Sequence, residues 1–278
     1  MGATPNHLMK LLEGTHERMG LALAALSLCK ESDPSVDVTA CMDRIANLAN
    51  EICDNLPSSP ATGDVLFALN THLFEELKFT PFMTDEIGGG PFIHAFLDAR
   101  RGEAIPFVIF YLTLGRLLHL PLEGVAFSGR LLLRVADGGD EDIIDPCAGG
   151  VILTREELKD MFESAVGGSV ESQPRYRNYL EKMDDRAILI RLLRRYKTFQ
   201  LARNHYSEAL AATEAILHLN PGDGGELLER ARIREAMADT EAAAADYFRY
   251  LERYPGCPDT PRLRQRLRWL LGKSEVLH

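Results

Sequence analysis

Asp145 and Cys147 stand two residues apart, a carboxylate beside a thiol. A cysteine can attack an acyl carbon once a base has taken its proton. No histidine lies within 27 residues of Cys147 on either side, so a base would have to come from a distant segment. Two readings stay open: a relocated nucleophile of a cysteine-type acyl transferase or hydrolase, or a buried or loop thiol. The eight histidines show no H-x-x-x-H or H-E-x-x-H spacing, so neither a metal nor another cofactor is expected. His72 and His94 fall on predicted helices that could meet over a cleft, as ligands or as ordinary core or surface residues. Gly88-Gly89-Gly90 lacks the Gly-Lys-Ser/Thr ending of a phosphate loop and follows no strand; it reads as a flexible loop.

Two runs are strongly basic. Residues 186–203 carry Arg186, Arg191, Arg194, Arg195, Lys197 and Arg203 with no acid among them, and Arg262, Arg264, Arg266 and Arg268 form a second cluster. Each reads as a solvated helix face or as a docking face for an acidic partner. Arg191, Arg194, Arg195 and Tyr196 are the partner-binding candidates, because guanidinium groups take carboxylates in pairs of hydrogen bonds and tyrosine offers an apolar plate. The formal charge of −10 over 278 residues argues against a nucleic-acid partner. The five cysteines, Cys29, Cys41, Cys53, Cys147 and Cys257, are scattered and odd in number, which fits reduced thiols in a cytoplasmic protein. No apolar run reaches the roughly 20 residues of a membrane span; Met19–Cys29 reads as a buried helix.

The chain must position these groups with helices first. Residues 7–31 and 36–55 read as two helices around Ser32-Asp33-Pro34-Ser35, the second with Val38, Met42, Ile45, Leu48, Ala49 and Ile52 on one face. Asp64–Leu77 reads as a third helix and Phe92–Arg100 as a short one. Phe107–Leu118 is an almost continuous apolar run, read as a central helix. Short β-type runs follow at Gly124–Phe127, Arg130–Val135 and Asp142–Asp145, with a hairpin signal at Ala136–Asp140. Thr154 and Glu157 have capping-box spacing. Gly167–Pro174 is the expected boundary, and from about Tyr176 the chain reads as all helical. There "YSEALAATEAILHLNPGD" and "TEAAAADYFRYLERYPGC" match at an offset of 34 residues, pairing Ala209 with Ala243, Leu217 with Leu251 and Pro221 with Pro255. That is the period of a tetratricopeptide repeat. Arg262–Leu271 is expected to cap the array with Leu263, Leu267 and Leu270.

In order along the chain, "LNTHLFEELKF", "RRGEAIPFVIFYLTLGRLLHLPLEGVAF", "IIDPCAGGVILTREEL" and the repeat pair resemble the bacterial transglutaminase-like proteins with C-terminal tetratricopeptide repeats, the Sir-B type. The resemblance implies an α+β fold. Residues 1–170 would form a transglutaminase-like (papain-like) core, with N-terminal helices and a small antiparallel sheet. Residues 176–278 would form an all-α repeat domain with a capping helix. It also implies a triad of cysteine, histidine and aspartate. The cysteine belongs at the head of the central helix, within Gly102–Phe107, where this chain has no cysteine, serine or threonine. The histidine position reads Arg130, and the aspartate position reads Asp145. Arginine stays protonated at neutral pH and has no lone pair for general-base work. Asp145 is expected either to pair with Arg130 or to cap the turn at Pro146. The reading is therefore a non-catalytic, regulatory protein with no catalytic residue. It would bind a protein or peptide, with an acidic one the candidate, and neither nucleic acid nor membrane.

Overall fold

A computed structural model describes residues 10, 19–82, 90–136, 142–166 and 180–276. The expected features at Gly88-Gly89, at residues 137–140 of the hairpin signal and at Gly167–Pro174 lie outside these residues. Contacts divide the chain into two compact units, with the boundary between Leu192 and Leu193.

In the first unit, α1 (Gly20–Ser32) is apolar on nearly every side and is buried through Leu21, Leu26 and Leu28. α2 (Val38–Asp54) starts where the Asp37 carboxylate accepts from the Ala40 N–H, and it buries Ile45, Leu48, Ala49 and Ile52. The expected third helix is α-helical only over α3 (Thr62–Asn70); Thr71–Glu76 continues as a π-helical turn. A short parallel pair, β1 (Thr80–Phe82) with β2 (Arg101–Glu103), brackets α4 (Ile93–Ala99).

The apolar run becomes α5 (Ala104–Leu117), buried continuously from Pro106 to Gly115. Pro106 sits in its first turn, where a missing N–H costs no hydrogen bond. Phe79, Phe96, Phe107, Phe110 and Tyr111 pack ring against ring around this helix.

The sheet is antiparallel in the order β6-β5-β4-β3-β7. Its strands are β3 (Leu122–Phe127), β4 (Arg130–Val135), β5 (Asp142–Asp145), β6 (Val151–Ile152) and β7 (Glu181–Met183). α5 packs on β3 and β4. α6 (Arg155–Val166) places Leu158 and Phe162 against Phe127, Leu132 and Ile143. Helices on both faces explain why Leu131, Leu132 and Leu133 are all buried rather than alternating. Thr154 and Glu157 form the expected capping box at the head of α6.

β7 corrects the all-helical reading after Tyr176. Glu181-Lys182-Met183 has no apolar alternation, as suits a charged edge strand, and its pairing with β3 carries the first unit past the expected boundary at 170–176.

α7 (Asp185–Leu201) spans the division between the units. The second unit continues with α8 (Tyr206–Leu219), α9 (Gly224–Ala236), α10 (Thr240–Arg253) and α11 (Thr260–Val276). α8 and α10 begin and end 34 residues apart. Ala209 and Ala243 are fully buried where helices approach closely. Leu263 and Leu270 of α11 close the core formed by Leu228, Ala231, Ala243 and Tyr247, with Leu267 partly buried against it.

Candidate functional site

β3 and β4 are joined by a two-residue turn, Ser128-Gly129, with φ of 47° and 81°. Two positive φ values match the twist of a tight hairpin and favour glycine. The turn fixes Arg130 at the first position of β4. The neighbouring strand β5 ends at Asp145, at the same end of the sheet. Arg130 Nη1 donates to Asp145 Oδ2 at 2.9 Å. The other carboxylate oxygen, Oδ1, accepts from the Cys147 N–H at 2.9 Å and caps the short 3₁₀ turn Pro146–Ala148. Both expected roles of Asp145 are thus present at once, one on each oxygen.

The environment of the pair is uneven. The Asp145 side chain is 4% exposed and that of Arg130 is 37% exposed. The 146–148 turn packs against α5 and β1. Asn70 holds the same loop from α3: its Nδ2 donates to Gly150 O at 2.9 Å, and its Oδ1 accepts from Tyr111 Oη at 2.7 Å.

At the head of α5, the window Gly102–Phe107 contains one buried carboxylate, Glu103, in the N-cap position. Sequence reasoning passed over it, although an acid beside a helix N-terminus is favoured by the helix dipole. The Cys147 thiol is pushed up to about 12, chiefly by burial and then by the Asp145 charge, with Arg130 opposing. A thiol so raised is almost wholly protonated at neutral pH and is a poor nucleophile.

The two histidines make separate local contacts. His72 places Nδ1 2.6 Å from Glu76 and Nε2 3.3 Å from Glu51. His94 lies against the Phe92 ring, and burial lowers its pKa. Among the described residues no group of three or more His, Cys, Asp or Glu is arranged to hold a metal ion.

The first basic run is largely engaged in internal contacts. Arg191 donates to the carbonyl of Gly129 in the hairpin turn. Arg194 pairs with Asp223 and Glu226, and Lys197 reaches Glu226 at 2.6 Å. Tyr196 is 3% exposed, and Arg195 is half-buried. In the second run, Arg262 and Arg266 are exposed and line a groove with Trp269, Arg266 being paired with Glu235. Their spacing of four and three residues puts all three on one helix face, a signal readable from the sequence.

Among the described residues no helix is long and apolar enough to cross a membrane. A family model of the transglutaminase-like superfamily matches residues 39–194, and a tetratricopeptide-repeat model matches residues 197–268. A UPF0162 protein of Xylella fastidiosa (strain 9a5c) is 23% identical over 252 residues, 90% of each chain. Protein SirB1 of Salmonella typhimurium is 25% identical over 239 residues, 85% of this chain and 86% of that one. UPF0162 protein YchA of Escherichia coli (strain K12) is 25% identical over 262 residues, 93% and 94% respectively. No solved structure matches.

Proposed function

The chain belongs to the transglutaminase-like superfamily, and from that premise we propose that it works without catalysis, as a cytoplasmic, regulatory binding protein whose partner is another protein or a peptide. The observation that carries the reading is the Arg130–Asp145 pair. In a working triad the aspartate orients a histidine that shuttles the proton. Here the aspartate holds a guanidinium that cannot accept one, and its second oxygen is committed to the Cys147 N–H. The head of α5 offers no thiol or hydroxyl between Gly102 and Phe107. In such units the loss of one group already costs orders of magnitude in rate. The tetratricopeptide unit then becomes the better seat of function, since stacked helical repeats present extended binding surfaces.

The test is an acyl-transfer assay on the full chain, with a fluorescent primary amine as acceptor and a glutamine-rich protein as donor, beside a thiol-directed activity probe. The expected rate is background. The rival is a cysteine-type acyl transferase or hydrolase working through Cys147. Turnover abolished by both Cys147→Ala and Asp145→Asn would establish that rival. Turnover that survives Cys147→Ala but not Asp145→Asn would also refute the non-catalytic reading.

A further inference from the structure

The four arginines of α11 divide by helical phase. Arg264 and Arg268 share one face; Arg262, Arg266 and Trp269 share another. The second row borders a groove of about 520 Å³ within the repeat unit, within the usual size range of a ligand pocket. Arg232 and Glu235 of α9 and Tyr247 of α10 line its other side.

The charges in this groove are not evenly matched. Glu235 is satisfied from two directions, by an ion pair with Arg266 and by the Tyr247 hydroxyl at 3.0 Å. Arg232 leans on Glu229 and keeps about half of its side chain in water. Arg262 is exposed and forms no ion pair among the described residues. The Arg266 guanidinium lies 4.1 Å from the Trp269 ring centroid, and Trp269 remains 44% exposed. It is the only tryptophan in a chain of net charge −10. A half-open indole flanked by guanidiniums joins two recognition elements that recur at binding hot spots. The indole takes an apolar side chain, and the arginines take carboxylates in paired hydrogen bonds.

We propose that this groove is the partner site of the repeat unit and that it takes an acidic peptide segment of another protein, with a carboxylate next to an aliphatic or aromatic side chain. The proposal rests on the reading of the repeats as the functional part of the chain, and it moves the acidic partner from the α7 arginines to the α9–α11 groove. A nucleic acid is disfavoured because it carries a charge at every nucleotide, which Glu235 and Asp259 in the same lining and the net charge of −10 repel more strongly than a single carboxylate set beside an apolar side chain.

The full chain provides its own reporter, Trp269. The probes are eight-residue peptides of mixed Asp, Glu, Leu and Phe, the same peptides with Lys replacing every acid, and a single-stranded oligonucleotide. The acidic set is expected to shift Trp269 emission and to bind at least tenfold more tightly than the Lys set. Arg232→Glu with Arg262→Glu should weaken binding at least tenfold, and the milder Arg262→Gln with Arg232→Gln should weaken it by a smaller factor. Phe248→Ala, outside the groove lining, should leave binding unchanged. Far-UV circular dichroism confirms that each variant is folded. Equal binding of acidic peptides by wild type and both double variants would overturn the site while leaving a binding role intact. No binding of the acidic set, or tighter binding of the oligonucleotide, would overturn the partner class. Failure of the non-catalytic reading shows separately, as turnover in the acyl-transfer assay.

Discussion

Replacing Arg130 by Met tests the Arg130–Asp145 pair most directly. The two side chains meet at 2.9 Å, with Asp145 almost fully buried and Arg130 about one-third exposed. Unit charges about 4 Å apart attract by about 4 kcal/mol at an effective dielectric constant of 20. Water around Arg130 screens part of that. Exposed pairs contribute about 0–1 kcal/mol, and breaking a buried pair on one side costs about 3–5 kcal/mol. This pair lies between, and Asp145 keeps its bond from the Cys147 N–H, so Arg130→Met should cost about 2 kcal/mol. At about 2–4 °C per kcal/mol for a unit of 150–250 residues, melting should fall by about 4–8 °C. The sign of the asymmetry is sharper than the magnitude. Arg130→Met strands a buried carboxylate, whereas Asp145→Asn leaves a guanidinium that water can reach, so it should cost about 1 kcal/mol. The double variant should cost no more than Arg130→Met alone. Urea denaturation of the full chain followed by far-UV circular dichroism measures all three. The lone Trp269 reports on the repeat unit and gives an internal reference. An Arg130→Met variant within about 0.5 kcal/mol of wild type, or an Asp145→Asn variant costing more, would refute the reasoning.

The remaining predictions concern cysteine chemistry and packing. At pH 7.5 iodoacetamide should modify Cys257 well before Cys147, because a hydrogen bond with the Thr260 hydroxyl lowers the pKa of the first and burial raises that of the second; equal labelling rates by peptide mass spectrometry would contradict this. The folded Cys147 keeps its proton up to about 12, against 9.0 for the reference thiol, so its contribution to stability is intact below pH 9 and is lost as pH rises toward 12. Cys147→Ala should therefore lose less stability than wild type between pH 9 and about 11, and parallel curves would exclude the effect. At Gly150, φ is +71° and an added Cβ would meet Asn70 Oδ1 at 2.0 Å; at Gly149, φ is +83° and a Cβ would meet nothing within 4 Å. Gly150→Ala should cost about 2–3 kcal/mol and Gly149→Ala about 1 kcal/mol, and equal melting points would refute the Asn70 latch. In the repeat unit Asp246, 2% exposed, accepts from Arg230 at 2.8 and 2.7 Å and from Arg234 at 2.8 Å. Asp246→Ala should cost about 3–5 kcal/mol, read from the Trp269 emission in urea; a loss under about 1 kcal/mol would count against the pairing.

Much of the fold was legible wherever local pattern and tertiary burial agree. The almost continuous apolar run reads as a buried central segment, and it is α5, buried from Pro106 to Gly115. The 34-residue offset returns as helices of equal length at equal spacing. Legibility failed where a neighbour overrides the local pattern. Glu181–Met183 is a strand only because β3 offers a partner. The π-helical turn at Thr71–Glu76 breaks what reads in one dimension as a continuous apolar stripe. The Arg191–Tyr196 segment looks like an open basic face, yet its groups meet Gly129, Asp223 and Glu226, 29 to 62 residues away.

By itself the sequence determined what chemistry its residue types exclude. No thiol or hydroxyl stands between Gly102 and Phe107, and the group at position 130 cannot take a proton; both follow from covalent structure and need no coordinates. It also determined the repeat period and the shared face of Arg262, Arg266 and Trp269, because helical phase is a property of spacing alone. Only the tertiary structure decided that Arg130 meets Asp145 from the next strand, that its surroundings raise the Cys147 pKa, and that Arg262 and Arg266 of α11 border a groove while Arg191 and Arg194 of α7 meet Gly129, Asp223 and Glu226. Contact partners, burial and electrostatic environment are set by segments far apart in the chain, and no local pattern encodes them.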